Sequence, residues 1–186
     1  MQRASSRQIF VTPPVKDWIL AVGNDLPKPG MLLFIRLFFV LARRFNDVQF
    51  FGNHRVVDYY AWARAIDGKT RRLLFIANGE VVRNVGAQSP EEAGLGLADL
   101  SGLEPAAANS RIIELEMRID EQEKALIVRG MEPREAIRAV RKLIPKPVPD
   151  EQDVLKLAGM WSANPREFDQ LEGPLDVGLL GQLPEH

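Results

Sequence analysis

Residues 48–84 read VQFFGNHRVVDYYAWARAIDGKTRRLLFIANGEVVRN, and the punctuation of this stretch decides the fold. Asp67-Gly68 and Asn78-Gly79 are dipeptides in which both positions tolerate positive φ, the requirement of a two-residue hairpin turn. Between and around them lie runs rich in Val, Ile, Phe, Tyr and Trp, the residues that suit a pleated surface. The reading is a β-meander: a strand over Val48–Phe51, a turn at Gly52-Asn53-His54, a long strand over Arg55–Ile66, a third over Arg71–Ala77 and a fourth over Glu80–Asn84.

Outward from the meander the pattern is helical. The run MLLFIRLFFVLARRF at 31–45 is apolar but broken by Arg36, and is too short for the roughly 17–25 residues of a membrane span. It reads as a helix buried against the sheet. A membrane-surface helix is the alternative, disfavoured because the apolar residues go all round. Ser89-Pro90-Glu91-Glu92 has the form of a helix start: N-cap, proline at the first position, acids in the first turn. The stretch through Ala108 reads as loop. Over 110–129, Ile112, Leu115, Ile119 and Leu126 make one apolar seam. Gly130 ends that helix, and a second follows over Pro133–Ile144. The stiff PKPVPD linker at 145–150 leads to a third over 151–161, carrying Val154, Leu155, Ala158 and Trp161. Near the N-terminus RQIFVTPPV reads as a short strand stopped by Pro13 and Pro14, and the tail from Asn164 as mostly irregular. The expected fold class is α+β, an antiparallel sheet packed against helices. The chain is read as one domain, 1–186, with a helical hairpin inserted at about 108–145.

Composition narrows the chemistry. The 186 residues are 46% hydrophobic and 26% charged and include no cysteine, which removes disulfides, thiolate metal sites and thiol nucleophiles together. The only histidines are His54 and His186, and no pair has the spacing of metal ligands. No nucleophile elbow, phosphate-binding glycine loop or dinucleotide fingerprint occurs. No catalytic residue, metal or cofactor is expected. Net charge is −1, but it is segregated: residues 31–86 sum to +5, 87–128 to −6, 129–147 to +4 and 148–186 to −6. Distinct acidic and basic sides suit a charged protein partner, though charge runs also form ordinary solvated faces. The arginines of the meander alternate in direction and cannot share one face, so nucleic acid is not an expected partner. Asp58, read as mid-strand, would need a partner such as Arg64, Arg71 or Arg72 if it pointed inward. Trp62 and Trp161 are expected to build the core between the sheet and the 151–161 helix. The polar edge His54, Arg55, Asp58 and Arg64 is the functional part of the aromatic stretch.

HRVVDYYAWARAIDG, then RNVGAQSPEEAGLG, and later DEQDVLKLAGMWSANP resemble a family of uncharacterised bacterial proteins. In that family an aromatic AWARA-DG hairpin precedes an acidic helix ending in AG-WS--P, and its members look like immunity proteins of polymorphic toxin systems. The resemblance covers roughly residues 17–97 and 149–181. The hairpin between 106 and 147 looks like an insertion, and RRLLFIANGE departs from the more glycine- and tyrosine-rich strand of that pattern. The resemblance implies a cytoplasmic, non-catalytic protein that neutralises a toxin by stoichiometric binding. Its partner would be the cognate toxin, with no membrane involved.

The binding residues expected on this reading are the acids of the first hairpin helix, Glu114, Glu116, Asp120, Glu121 and Glu123, together with His54, Arg55 and Arg64. The acids could mimic nucleic acid in a basic cleft, or could simply pair with Arg134, Arg138, Arg141 and Lys142 of the second helix. The competing functions are an oligomerising or structural module working through the hairpin, and a small enzyme using carboxylates and arginines.

Overall fold

A computed structural model describes residues 8–15, 17–23, 26–164 and 178–182. The order of elements is β1 (Gln8–Val11), β2 (Ala21–Val22), α1 (Leu32–Ala42), β3 (Asp47–His54), β4 (Tyr59–Ile66), β5 (Lys69–Ala77), β6 (Glu80–Gly86), α2 (Pro90–Gly94), α3 (Pro105–Val128), α4 (Pro133–Leu143), α5 (Glu151–Trp161) and β7 (Leu179–Gln182). The fold is α+β. A four-stranded antiparallel sheet runs β3-β4-β5-β6, and a separate three-stranded sheet runs β2-β1-β7.

The meander follows its turn chemistry. Asp67 and Gly68 take φ of 51° and 75°, Asn78 and Gly79 take 52° and 77°, and the strands close directly across both pairs, Ile66 opposite Lys69 and Ala77 opposite Glu80. The first turn differs from expectation. β3 continues through Gly52 and Asn53 to His54, which pairs with Tyr59. The reversal is made by a single 3-10 turn at Arg55–Val57, closed by Asp58 in the left-handed region at φ 41°. Gly52 is therefore a strand position. It lacks a side chain because the Tyr59 ring fills the place: a Cβ there would meet the Tyr59 hydroxyl at 2.6 Å. The β-branched Val56 and Val57 suggest strand, but nothing packs on them and both are exposed. Tertiary burial, absent here, is what gives such residues their strand preference.

Alternation along the strands loads both faces of the sheet. One face carries Tyr59, Ala61, Ala63, Ala65, Leu73 and Phe75, packed with Phe34, Phe38 and Ala42 of α1. The row of alanines leaves room for the two phenylalanines, and Phe34 meets Phe50 edge-on at 4.9 Å. The other face carries Tyr60, Trp62, Leu74, Ile76 and Val81, packed with Ala108 and Ile112 of α3 and Val154, Leu157 and Trp161 of α5. The sheet thus lies between α1 and the remaining helices. Trp62 and Trp161 stand where expected, in the core shared by the sheet and α5.

The helices begin at sequence-encoded caps. Ser89 and Glu92 form a reciprocal capping box at α2, and Asp150 and Asp153 form one at α5. α3 starts at Pro105 rather than near residue 110, because proline at the first position and the alanines after it favour helix where a loop was expected. Asn109 then covers the β6 edge. Its side chain accepts the Val81 N–H at 2.6 Å and donates to the Val81 carbonyl at 3.2 Å. The segment expected to be irregular after Asn164 contributes β7, antiparallel to β1.

Candidate interaction surface

The expected polar edge does not assemble into one surface. His54 is exposed at the end of β3, and Arg55 opens the 3-10 turn, its side chain outside the described residues. Asp58 is exposed in the turn, not buried mid-strand, so it needs no inward partner. Arg64 lies near the far end of β4, about 17 Å along the strand from Tyr59 at roughly 3.4 Å per residue. It is half-buried and engaged: its guanidinium donates to Asp47 at 2.7 and 3.1 Å and lies 5.5 Å over the Trp161 ring. This residue holds α5 against β3 and β4.

A polar cluster missed by the sequence reading lies beneath that contact. Arg72 and Glu92 are a buried ion pair, with Arg72 Nε at 2.9 Å from Glu92 Oε1. The same oxygen accepts the Trp62 indole N–H at 2.9 Å, while Glu92 Oε2 accepts the Ser89 backbone N–H. Arg72 Nη1 donates to Asn84 Oδ1 at 2.7 Å and to the Val85 carbonyl, and Asn84 Nδ2 donates to the carbonyls of Leu100 and Leu103. Next door, Glu91 accepts the Trp161 indole N–H at 3.2 Å. Adjacent glutamates thus hold the two tryptophans. The Glu91 carboxyl is held below its ordinary value by a backbone N–H, with Ser89, Trp161 and Arg64 adding to the effect against burial. Ser89-x-x-Glu92 was legible as a cap; that Glu92 also serves Arg72 and Trp62 was not. The stretches carrying Trp62, the two glutamates and Trp161 meet at this cluster, in which Trp62, Arg72, Glu92 and Trp161 are all buried.

The expected acids of the hairpin are placed differently. α3 packs on the sheet only through its first turns, at Ala108 and Ile112, and on α4 through Leu115, Val140 and Ile144. Beyond Leu115 no residue of α3 is fully buried, so the distal half projects, packed on α4 among the described residues. The acids fall in two rows: Glu114 and Glu121, seven residues apart, share one face, and Glu116 and Glu123 share another with Asp120 beside them. Glu114 pairs with Arg111 at 2.7 Å and Asp120 with Lys124, both within α3. Among the described residues no ion pair joins α3 to Arg134, Arg138, Arg141 or Lys142 of α4. An open depression of about 310 Å³ between the helices is lined by Arg118, Glu121, Val140 and Leu143. Leu143 is 81% exposed.

Among the described residues no three His, Asp or Glu side chains converge as a metal site. Burial raises the Tyr59 hydroxyl above its ordinary 10.0, in a packed position over Gly52. A second open depression of about 310 Å³ follows α1, lined by Arg43, Arg44, Asn46 and Asp67; it brings a single carboxylate beside two arginines.

Fold and surface together define an α+β protein with a two-faced antiparallel sheet, a buried indole–carboxylate–guanidinium cluster and a projecting helical hairpin. Searches of protein-family models, curated proteins and solved structures find no match to the chain.

Proposed function

We propose that this is a non-catalytic binding protein, an immunity-type protein that neutralises a toxin in the cytoplasm by stoichiometric contact through the distal half of the α3–α4 hairpin. The observation that carries this reading is that the hairpin acids are not consumed by their neighbour helix. Glu116 and Glu121 are exposed and make no ion pair among the described residues, and α4's arginines leave them uncovered. Exposed acids on two faces of a helix suit a basic cleft that encloses it, where complementary potentials speed encounter and suppress wrong partners. The depression beside Glu121, with Leu143 at its rim, offers an apolar anchor point within the polar rim, the usual anatomy of a specific interface.

The same helices support an oligomerising reading through Ile113, Met117 and Val128, all exposed on α3. Co-expression with the product of the adjacent open reading frame tests the proposal. Protection of the host, a one-to-one complex, and loss of both on lysine substitution of Glu116 and Glu121 are expected. Protection that persists at sub-stoichiometric amounts would overturn the non-catalytic reading. An intact complex in the variant would move the contact surface elsewhere.

A further inference from the structure

Helix α1 buries only one of its sides. Phe34, Phe38 and Ala42 face the sheet. Leu32 is 74% exposed, Phe39 and Val40 are each 53% exposed, and Met31, Leu33, Ile35 and Phe45 are also open. Nothing among the described residues covers them. Seven such side chains amount to on the order of 600 Å² of apolar surface, at the upper end of what a monomer leaves exposed. The sequence reading set aside a membrane-surface helix because the apolar residues went all round. The structure divides that ring into a sheet-facing half and an outward half, and the objection concerned only the undivided ring.

The charges around this face are mostly positive, with Asp67 the one carboxylate in the depression beside Arg43 and Arg44. Residues 26–46 contain Lys28, Arg36, Arg43 and Arg44 and no acid. None of the four forms an ion pair among the described residues; Arg43 lies 5.7 Å over the Phe39 ring and Lys28 5.5 Å over Tyr59. Two copies meeting through α1 would bring these cations together, which opposes self-association. The acidic elements lie across the sheet, where α3 carries Glu114, Glu116, Asp120, Glu121 and Glu123, and α5 opens at Asp150 and Glu151. The α1 side is therefore apolar and net basic, while the side across the sheet carries these acids together with the basic α4. A convex apolar helix with arginines among its exposed side chains, and with the acids of α3 and α5 across the sheet, matches an interface of acyl chains under anionic headgroups.

We propose that α1 seats the protein on an anionic lipid surface, with Leu32, Ile35, Phe39 and Val40 entering the headgroup–acyl boundary and Arg36, Arg43 and Arg44 meeting the lipid phosphates. The helix lies in the interface and does not cross it: eleven residues span about 16 Å against a hydrocarbon core of about 30 Å. No helix among the described residues is long and apolar enough to cross. This departs from the expectation of no membrane partner and is independent of the hairpin proposal, since the two surfaces lie on opposite sides of the sheet.

Flotation of the full chain with vesicles tests it. The probes are phosphatidylcholine alone and an equal mixture of phosphatidylcholine and phosphatidylglycerol, each at low and high salt. The protein should float with the mixed vesicles, remain behind with phosphatidylcholine alone, and release as salt rises. Phe39→Ser with Val40→Ser, and separately Arg43→Glu with Arg44→Glu, should each weaken partitioning about tenfold or more. All four positions are exposed, and an unchanged urea midpoint for each pair verifies folding. Failure to bind the mixed vesicles overturns the proposal, as does equal binding to both compositions or indifference to both pairs. A concentration-dependent dimer that dissociates in Phe39→Ser, Val40→Ser, without vesicle binding, would assign the face to a second copy and overturn it too.

Discussion

Trp62 and Glu92, 30 residues apart, are joined by an indole N–H donated to Glu92 Oε1 at 2.9 Å in the centre of the molecule. The same oxygen receives Arg72 Nε. A capping residue of α2 has thereby become the counter-ion of the sheet, and the short helix is bolted to β4 and β5 by a contact that neither element encodes alone.

Breaking that contact from one side should be expensive. Glu92→Ala strands the Arg72 guanidinium in the core and leaves the Trp62 indole without its acceptor, a change expected to cost about 3–5 kcal/mol. Replacing both partners, Arg72→Met with Glu92→Met, should cost less than the single change, because no buried charge is left unpaired. Urea denaturation of the single and double variants measures the difference. A double variant as unstable as Glu92→Ala would show that the pair is needed for packing as well as charge.

The two tryptophans are fully packed and should behave accordingly. Trp62→Ala and Trp161→Ala are each expected to cost about 3–5 kcal/mol in denaturant. Losses within about 0.5 kcal/mol of the parent would contradict their burial at 0% and 6% exposure.

Gly52 offers a sharper test of the first turn. A side chain there collides with the Tyr59 ring, so Gly52→Val should destabilise by about 1–3 kcal/mol. Were residues 52–54 the turn, a valine would not meet that ring. Gly52→Val combined with Tyr59→Ala, compared by thermal melt with each single change, should show partial rescue.

Acid should loosen the α2 and α5 caps. Glu91 is held below its ordinary 4.5 by a backbone N–H, and Asp150 below 3.8 by Lys146 and the N–H groups of Asp153 and Gln152 against the opposing effect of burial. A carboxyl whose folded value is depressed contributes stability that is complete above its unfolded value and is lost as pH falls through the folded one. Melting temperature should therefore be flat above about pH 5 with respect to these groups and fall below it, and Glu91→Gln should reduce that acid slope. Lys146 is raised above 10.5, with Asp150 and Asp153 outweighing burial. Its contribution is complete below 10.5 and is lost as pH rises through the raised value. Melting temperatures recorded from acid to alkaline buffer check both limbs.

The hairpin acids should affect association and leave stability nearly unchanged. Glu116→Lys with Glu121→Lys removes no ion pair, so the melting temperature should stay close to that of the parent. Binding to the toxin partner should slow, with the effect shrinking as salt rises. His54→Gln should leave binding intact, since a stoichiometric contact needs no imidazole base. Binding kinetics at two salt concentrations beside a melt separate charge steering from folding; a lowered melting temperature with unchanged association would end the hairpin proposal.

The meander was legible because its information is local. Asp67-Gly68 and Asn78-Gly79 need positive φ, a property of single residues, and the strands they join alternate in side-chain direction whatever surrounds them. Ser89-Pro90, Pro133 and Asp150 marked helix starts for the same reason. The turn at Arg55–Asp58 was misplaced because Arg-Val-Val suggests a strand, and only the register of His54 against Tyr59 reveals the reversal. The candidate surface was less legible still. The sequence named the acids on α3 but could not tell whether α4 would neutralise them.

By itself the sequence determined the α+β class, the two tight turns, the helix starts and the burial of Trp62 and Trp161, since propensity, capping and periodicity act over a few residues. Tertiary structure alone decided that Arg72 belongs to Glu92 and Asn84, that Arg64 serves Asp47 and Trp161, and that among the described residues nothing covers one side of α1. Those outcomes depend on which groups meet across the sheet. A buried charge takes the partner that packing brings within about 3 Å, and no spacing along the chain specifies that encounter.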